Sequence, residues 1–216
     1  MTDKALITLP KGTVPAKDDE LFKEATTALD YFSRLQLMTS NSEVCKDGSF
    51  PPNHYALVRD QNYRDLGDSV NVLVIGWRPK AIEIDEQIIT SFNPEDDEFQ
   101  RIKEASYQKD SGCMYGPEFF VYVPSVKEYL TFFMGSKSSR REAPSMRALL
   151  LKAATLKSKK ITTPSYTWFA PVVEKCATTF AVPPQEEIVE QYTKFMNEEG
   201  SKVKTVDEED KSARDR

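Results

Sequence analysis

Val70-Asn71-Val72-Leu73-Val74-Ile75-Gly76-Trp77 carries the strongest strand signal in the chain. Its β-branched residues run nearly unbroken, and such side chains, stiff at χ1, pack best on a pleated surface. The stretch is hydrophobic on both faces, so Trp77 reads equally as core and as ligand contact. Gly67-Asp68 marks a turn before it, and Pro79 limits how far it continues as an interior strand. Outward from there, His54–Arg59 predicts a short strand and Tyr31–Met38 another. Between these two strands, Thr39–Asn53 is a polar loop with Gly48, Pro51 and Pro52. Ala81–Ile84 and Gln87–Phe92 add two strands. Pro94 to Lys109 opens with acids, as a helix N-terminus prefers, and turns Phe99 and Ile102 inward.

The second half begins with aromatic strands, Phe119–Val123 and Tyr129–Met134, joined at Pro124-Ser125. Pro144 suits the first turn of a helix to about Leu156, with Met146, Leu149, Leu150, Ala153 and Leu156 in one arc. Strands Lys160–Thr163 and Tyr166–Val173 follow. A last helix, Gln185–Glu198, buries Ile188, Val189, Tyr192, Phe195 and Met196. Near the start, Asp18 and Asp19 cap a helix whose apolar face holds Leu21, Phe22, Ala25, Ala28 and Leu29. Three segments result: a flexible arm over residues 1–17, one domain over 18–199, and a disordered charged tail over 200–216. The fold class expected is mixed and β-rich (α+β), an OB-like β-barrel with added helices and disordered termini.

The chain has 216 residues and a formal net charge of −5. A core of that length needs neither disulfide nor metal, and no cofactor is expected. Cys45, Cys113 and Cys176 are isolated and odd in number, which reads as reduced thiols in a cytoplasmic protein. No apolar run approaches the ~20 residues that span a bilayer, so no membrane partner is expected. The oligomeric state, homo-oligomer included, stays open at this level.

Charge is distributed unevenly. Between Gly135 and Lys160 stand eight basic residues against one acid, Glu142, a local balance of +7 in an acidic chain. Such a segregated cluster suits a polyanion. Single strands are held by cations that track phosphates and by aromatic faces that stack bases. The loop Gly135–Arg141 offers Lys137, Arg140 and Arg141 as phosphate ligands, with Arg147 and Lys152 on the helix behind it. Tyr122, Tyr129 and Phe133 on the strands before the loop, and Tyr166 and Trp168 after it, are candidate stacking faces. A second patch, Arg59, Arg64, Arg78 and Lys80, brackets Tyr63 and Trp77. The plain alternative is that strand aromatics are core and that Lys157, Lys159 and Lys160 merely follow a helix end. The tail from Glu198 holds seven acids and five bases. It is a candidate contact for replication or recombination proteins, or simply a solvated end.

The run Leu66–Arg78, the strands ending in Phe132-Phe133-Met134, and Tyr166-Thr167-Trp168-Phe169 together resemble phage-encoded single-stranded DNA-binding proteins with a decorated OB fold. The resemblance is one of layout across residues 30–180. It implies strand protection in phage replication or recombination, without catalysis, in the host cytoplasm. The tail is less acidic than those proteins often carry.

Two rival classes compete. A structural or adaptor protein of phage assembly would turn the basic loop to acidic protein surface. A metal-dependent nuclease would need clustered carboxylates, for which Glu83, Asp85, Glu86 and Glu95–Glu98 are the candidates. His54 is the lone histidine and reads as structural. No nucleophile elbow is present. Gly135-Ser136-Lys137-Ser138 fails as a phosphate loop, because Leu130 stands where the earlier glycine belongs.

Overall fold

The computed structural model describes residues 32–204 except 60, 61, 86, 109, 165 and 166. The expected arm over 1–17, the helix following Asp18-Asp19, and residues 205–216 of the tail lie outside the described residues. In chain order the elements are β1 (Arg34–Leu37), α1 (Glu43–Lys46), β2 (Tyr55–Arg59), β3 (Asn62–Gly67), β4 (Ser69–Ile84) and β5 (Gln87–Ser91). Then come α2 (Asp97–Ala105), β6 (Cys113–Val123), β7 (Glu128–Phe133), α3 (Lys137–Ala148), β8 (Ala153–Thr162), β9 (Thr167–Lys175), α4 (Gln185–Asn197) and β10 (Ser201–Lys204). The fold is β-rich α+β, with one large mixed sheet and four helices among the described residues.

β4 organises the sheet. One of its edges pairs with β6 from Leu73 to Glu83, and β6 leads on through β7, β1 and β2 to β3. The other edge is shared: β8 takes Ser69–Leu73 and β5 takes Ala81–Ile84. β9 extends β8, and β10 extends β5. Among the described residues only β1 and β7 pair in parallel.

Both faces of β4, β6 and β7 are covered, which explains their continuous apolar sequence. On the concave face Val72, Val74, Phe119, Val121, Leu130 and Phe132 pack with Ala143 and Met146 of α3. On the other face Leu73, Ile75, Phe120 and Tyr122 pack with Ile188 and Phe195 of α4. The sheet curls until the Tyr55 hydroxyl on β2 donates to the Lys157 carbonyl on β8 at 2.9 Å. No ladder joins β3 to β9 among the described residues, so the sheet is not closed into the expected barrel.

Several boundaries differ from expectation, each for a physical reason. Pro79 does not end β4. It lies opposite Pro117, and among the described residues no strand pairs the other edge of β4 from Ile75 to Lys80, so its missing N–H breaks no ladder there. Ala81–Ile84 is therefore the end of β4, not a separate strand. β3 carries the polar sequence Asn62–Gly67 at the sheet edge, where burial imposes no apolar pattern.

The helix expected from Pro144 to Leu156 is displaced, and the loop expected at Gly135–Arg141 is its true start. Ser136 caps α3 by accepting the Ser139 N–H at 3.1 Å, and Pro144 falls inside the helix. Past α3, Leu151 adopts φ 59°, its N–H donates to the Val74 carbonyl, and the Val74 N–H donates to Lys152. The chain is thereby handed to the edge of β4, and Ala154 and Leu156 face inward with strand period. Ser201–Lys204 pairs with β5 as β10, although disorder was expected from Gly200 onward.

Candidate nucleic-acid interface

The cations between Gly135 and Lys160 divide between α3 and β8. Arg140 and Arg147 are two turns apart, on one face of α3. Arg140 donates to the Tyr115 and Gly135 carbonyls, and its guanidinium carbon lies 4.6 Å from the Tyr115 ring centroid. The Arg147 guanidinium carbon lies 3.8 Å from the centroid of Trp77. Two arginine–aromatic contacts therefore succeed one another along the helix, and Lys137 and Arg141 are exposed beside the first. Lys152 is half-buried in the turn after α3.

β8 leaves β4 after Lys157, which pairs with Ser69. Ser158–Thr162 pairs onward only with Thr167–Pro171 of β9, as a two-stranded ribbon. Lys159 lies opposite Ala170, Lys160 opposite Phe169, and Ile161 opposite Trp168. The alternation of a strand puts Lys159 and Trp168 on one face and Lys160 and Phe169 on the other. Lys159 and Lys160 are exposed, while Trp168 and Phe169 are half-buried. From Lys157 to Val173 the chain holds three lysines and no acid. Among the described residues, Lys157 is the one of these that is ion-paired, to Glu174 at 2.6 Å. Tyr166 lies outside the described residues.

Other expected contacts are placed differently. Arg78 is 3% exposed. Its Nε and Nη2 donate to Glu118 at 2.9 and 2.8 Å, and further bonds run to the Phe195 carbonyl and Glu198. Its guanidinium carbon lies 3.4 Å from the Phe92 ring centroid and 4.1 Å from that of Phe195. Lys80 donates to the same Glu118 at 2.6 Å, with its Nζ 5.4 Å from the ring centroid of half-buried Phe133. These two cations neutralise a buried carboxylate, and Arg78 caps the C-terminal end of α4. They are not the surface cations the sequence predicted.

Tyr122 and Tyr129 belong to the core beneath α4, where Phe120 stacks between Tyr129 and Phe195. Burial pushes both phenols above their ordinary range, and the Glu187 carboxylate adds to the effect. The reading of these rings as stacking faces is corrected on that ground. Arg59 bonds Glu128 and Ser33, and Arg64 is exposed on the edge strand β3.

A surface group absent from the sequence reading adjoins Arg140. The Tyr107 hydroxyl lies 2.6 Å from that of Tyr115, and the Lys103 Nζ is 6.0 Å from the Tyr115 ring centroid. The legible signal was the i, i+4 spacing of Lys103 and Tyr107 at the end of a helical stretch.

Of the carboxylates considered for a nuclease, Glu83, Asp96 and Glu98 are engaged by neighbouring side chains. Glu83 accepts two bonds from Arg101 at 3.1 and 2.6 Å. Glu86 lies outside the described residues. No group of His, Cys, Asp and Glu among the described residues could hold a metal ion. His54 bonds both oxygens of Asp65, joining the start of β2 to β3. No described helix is long and apolar enough to cross a membrane. No protein-family model matches the chain, and no curated protein or solved structure matches it.

Proposed function

We propose that the chain binds single-stranded DNA with little sequence preference, without catalysis, as a cytoplasmic strand-protecting protein of phage replication or recombination. The observation that carries this reading is the β8–β9 ribbon, in which Lys159 and Lys160 are exposed on an acid-free run beside Trp168 and Phe169. Exposed lysines exchange counterions for phosphates, and half-buried aromatic rings offer a face to an unpaired base. A fixed duplex stack denies those rings their bases, so the ribbon favours single strands. The exposed Lys137 and Arg141 on α3 extend the positive track.

An OB-like topology is part of the same proposal. The curled sheet, with α3 set between β7 and β8 under the concave core, supports it. The test is a titration of labelled oligonucleotides, single-stranded against duplex, with and without magnesium. Preference for the single strand, with no cleavage, is the expected result. Equal affinity for duplex, or magnesium-dependent cleavage, would refute the reading.

A further inference from the structure

We infer that Tyr107 is a stacking site for one unpaired base, with Lys103 and Arg140 taking the adjoining phosphates. It shares no element with the ribbon, and it rests on the single-strand reading. Tyr107 is 66% exposed, the most exposed large hydrophobic side chain among the described residues. An exposed tyrosine ordinarily rotates freely. Here the ring is tethered through its hydroxyl, 2.6 Å from that of Tyr115, with the ring centroids 5.6 Å apart.

Tyr115 is itself held in place. It lies on β6 opposite Ala81 and packs against the cluster of Ala81, Phe99, Ile102 and Cys113. The Arg140 guanidinium carbon is 4.6 Å from its ring centroid and is fixed in turn by the Tyr115 and Gly135 carbonyls. An ordered aromatic ring in solvent, joined to a second ring that has two cations beside it, is the arrangement that stacks a base with little further loss of side-chain freedom. Every base has a π-face, so such a site is indifferent to sequence. The buried Tyr122 and the half-buried Tyr129 have no comparable exposure.

The experiment uses the full chain and a pentanucleotide with 2-aminopurine at its centre, whose emission is quenched by stacking. Expected are quenching by the parent protein, affinity weakened about tenfold or more by Tyr107→Ala, and partial retention by Tyr107→Phe. Thermal melting controls for folding, which an exposed side chain should not govern. Parent-like affinity and quenching in Tyr107→Ala would overturn the inference. A Lys159→Gln/Lys160→Gln variant, measured alongside, reports on the ribbon separately. If Tyr107→Ala lost binding to hexaglutamate but not to the oligonucleotide, an acidic peptide would be the ligand and the inference would fail. No binding by the parent protein to any single strand would overturn both readings.

Discussion

Arg78 and Glu118 stand opposite each other on β4 and β6, 3% and 1% exposed, joined by two hydrogen bonds to one carboxylate oxygen. The pair links the sheet to α4 through the Phe195 carbonyl and Glu198. Arg78→Ala leaves Glu118 buried with Lys80 alone. Breaking a buried pair on one side costs about 3–5 kcal/mol, so urea unfolding should show a loss of that order. Replacing both residues with methionine should cost much less. Equal losses in the single and double variants would mean that the ion pair does not fix this corner.

Gly76 lies against the ring of Tyr192 on α4, and a Cβ built there would overlap it. Gly76→Ala should therefore lift α4 and destabilise the fold by about 1–3 kcal/mol. Adding Tyr192→Ala should recover part of that loss, because the two changes share one contact. Strict additivity in a double-mutant cycle would contradict this.

The sequence made the strand-rich half of the fold legible wherever one physical signal dominated. Val70–Trp77 is a strand because its apolar residues need cover on both faces, and α3 and α4 supply it. Phe99 and Ile102 are buried on α2 as their spacing required. Met146, Leu149, Leu150, Ala153 and Leu156 satisfied a helical arc by coincidence, since the chain changes from helix to strand midway through them. The Ser136 cap was the better guide, and Pro144 hid it. For the proposed interface, net charge singled out a segment but not which cations are engaged within the fold. Arg78 and Lys80 are engaged by Glu118, forty or so positions away in sequence, and nothing local announces that partnership. The Tyr107–Tyr115 pairing was hidden for the same reason, since it depends on how α2 settles on β6.

The Glu83 carboxyl is held below its ordinary range, first by hydrogen bonds from Arg101, against the opposing effect of burial, with the Arg101 charge assisting. A carboxylate depressed in the folded state contributes stability above its unfolded value, near 4.3, and loses it as pH falls through the folded value. Arg101 is about half exposed, so the contribution is under about 1 kcal/mol. Arg101→Gln should lower the melting temperature at pH 7, and the gap to the parent protein should narrow below about pH 4. A gap that stays constant down to pH 3 would contradict the assignment.

The Arg147 guanidinium over Trp77 should shield that indole from water. Arg147→Ala should move the tryptophan emission to longer wavelength while costing only about 0.5–1 kcal/mol of stability. An unchanged spectrum would place the shielding elsewhere.

The most direct measurement is the affinity for a labelled oligothymidylate between 50 and 200 mM salt, by fluorescence anisotropy, for the parent chain and for Lys159→Gln/Lys160→Gln. If the ribbon grips phosphates, the variant binds more weakly and its log–log salt slope is shallower by about 1.4, at roughly 0.7 per single-strand phosphate contact removed. The same affinity and slope in both proteins would contradict a DNA-binding ribbon.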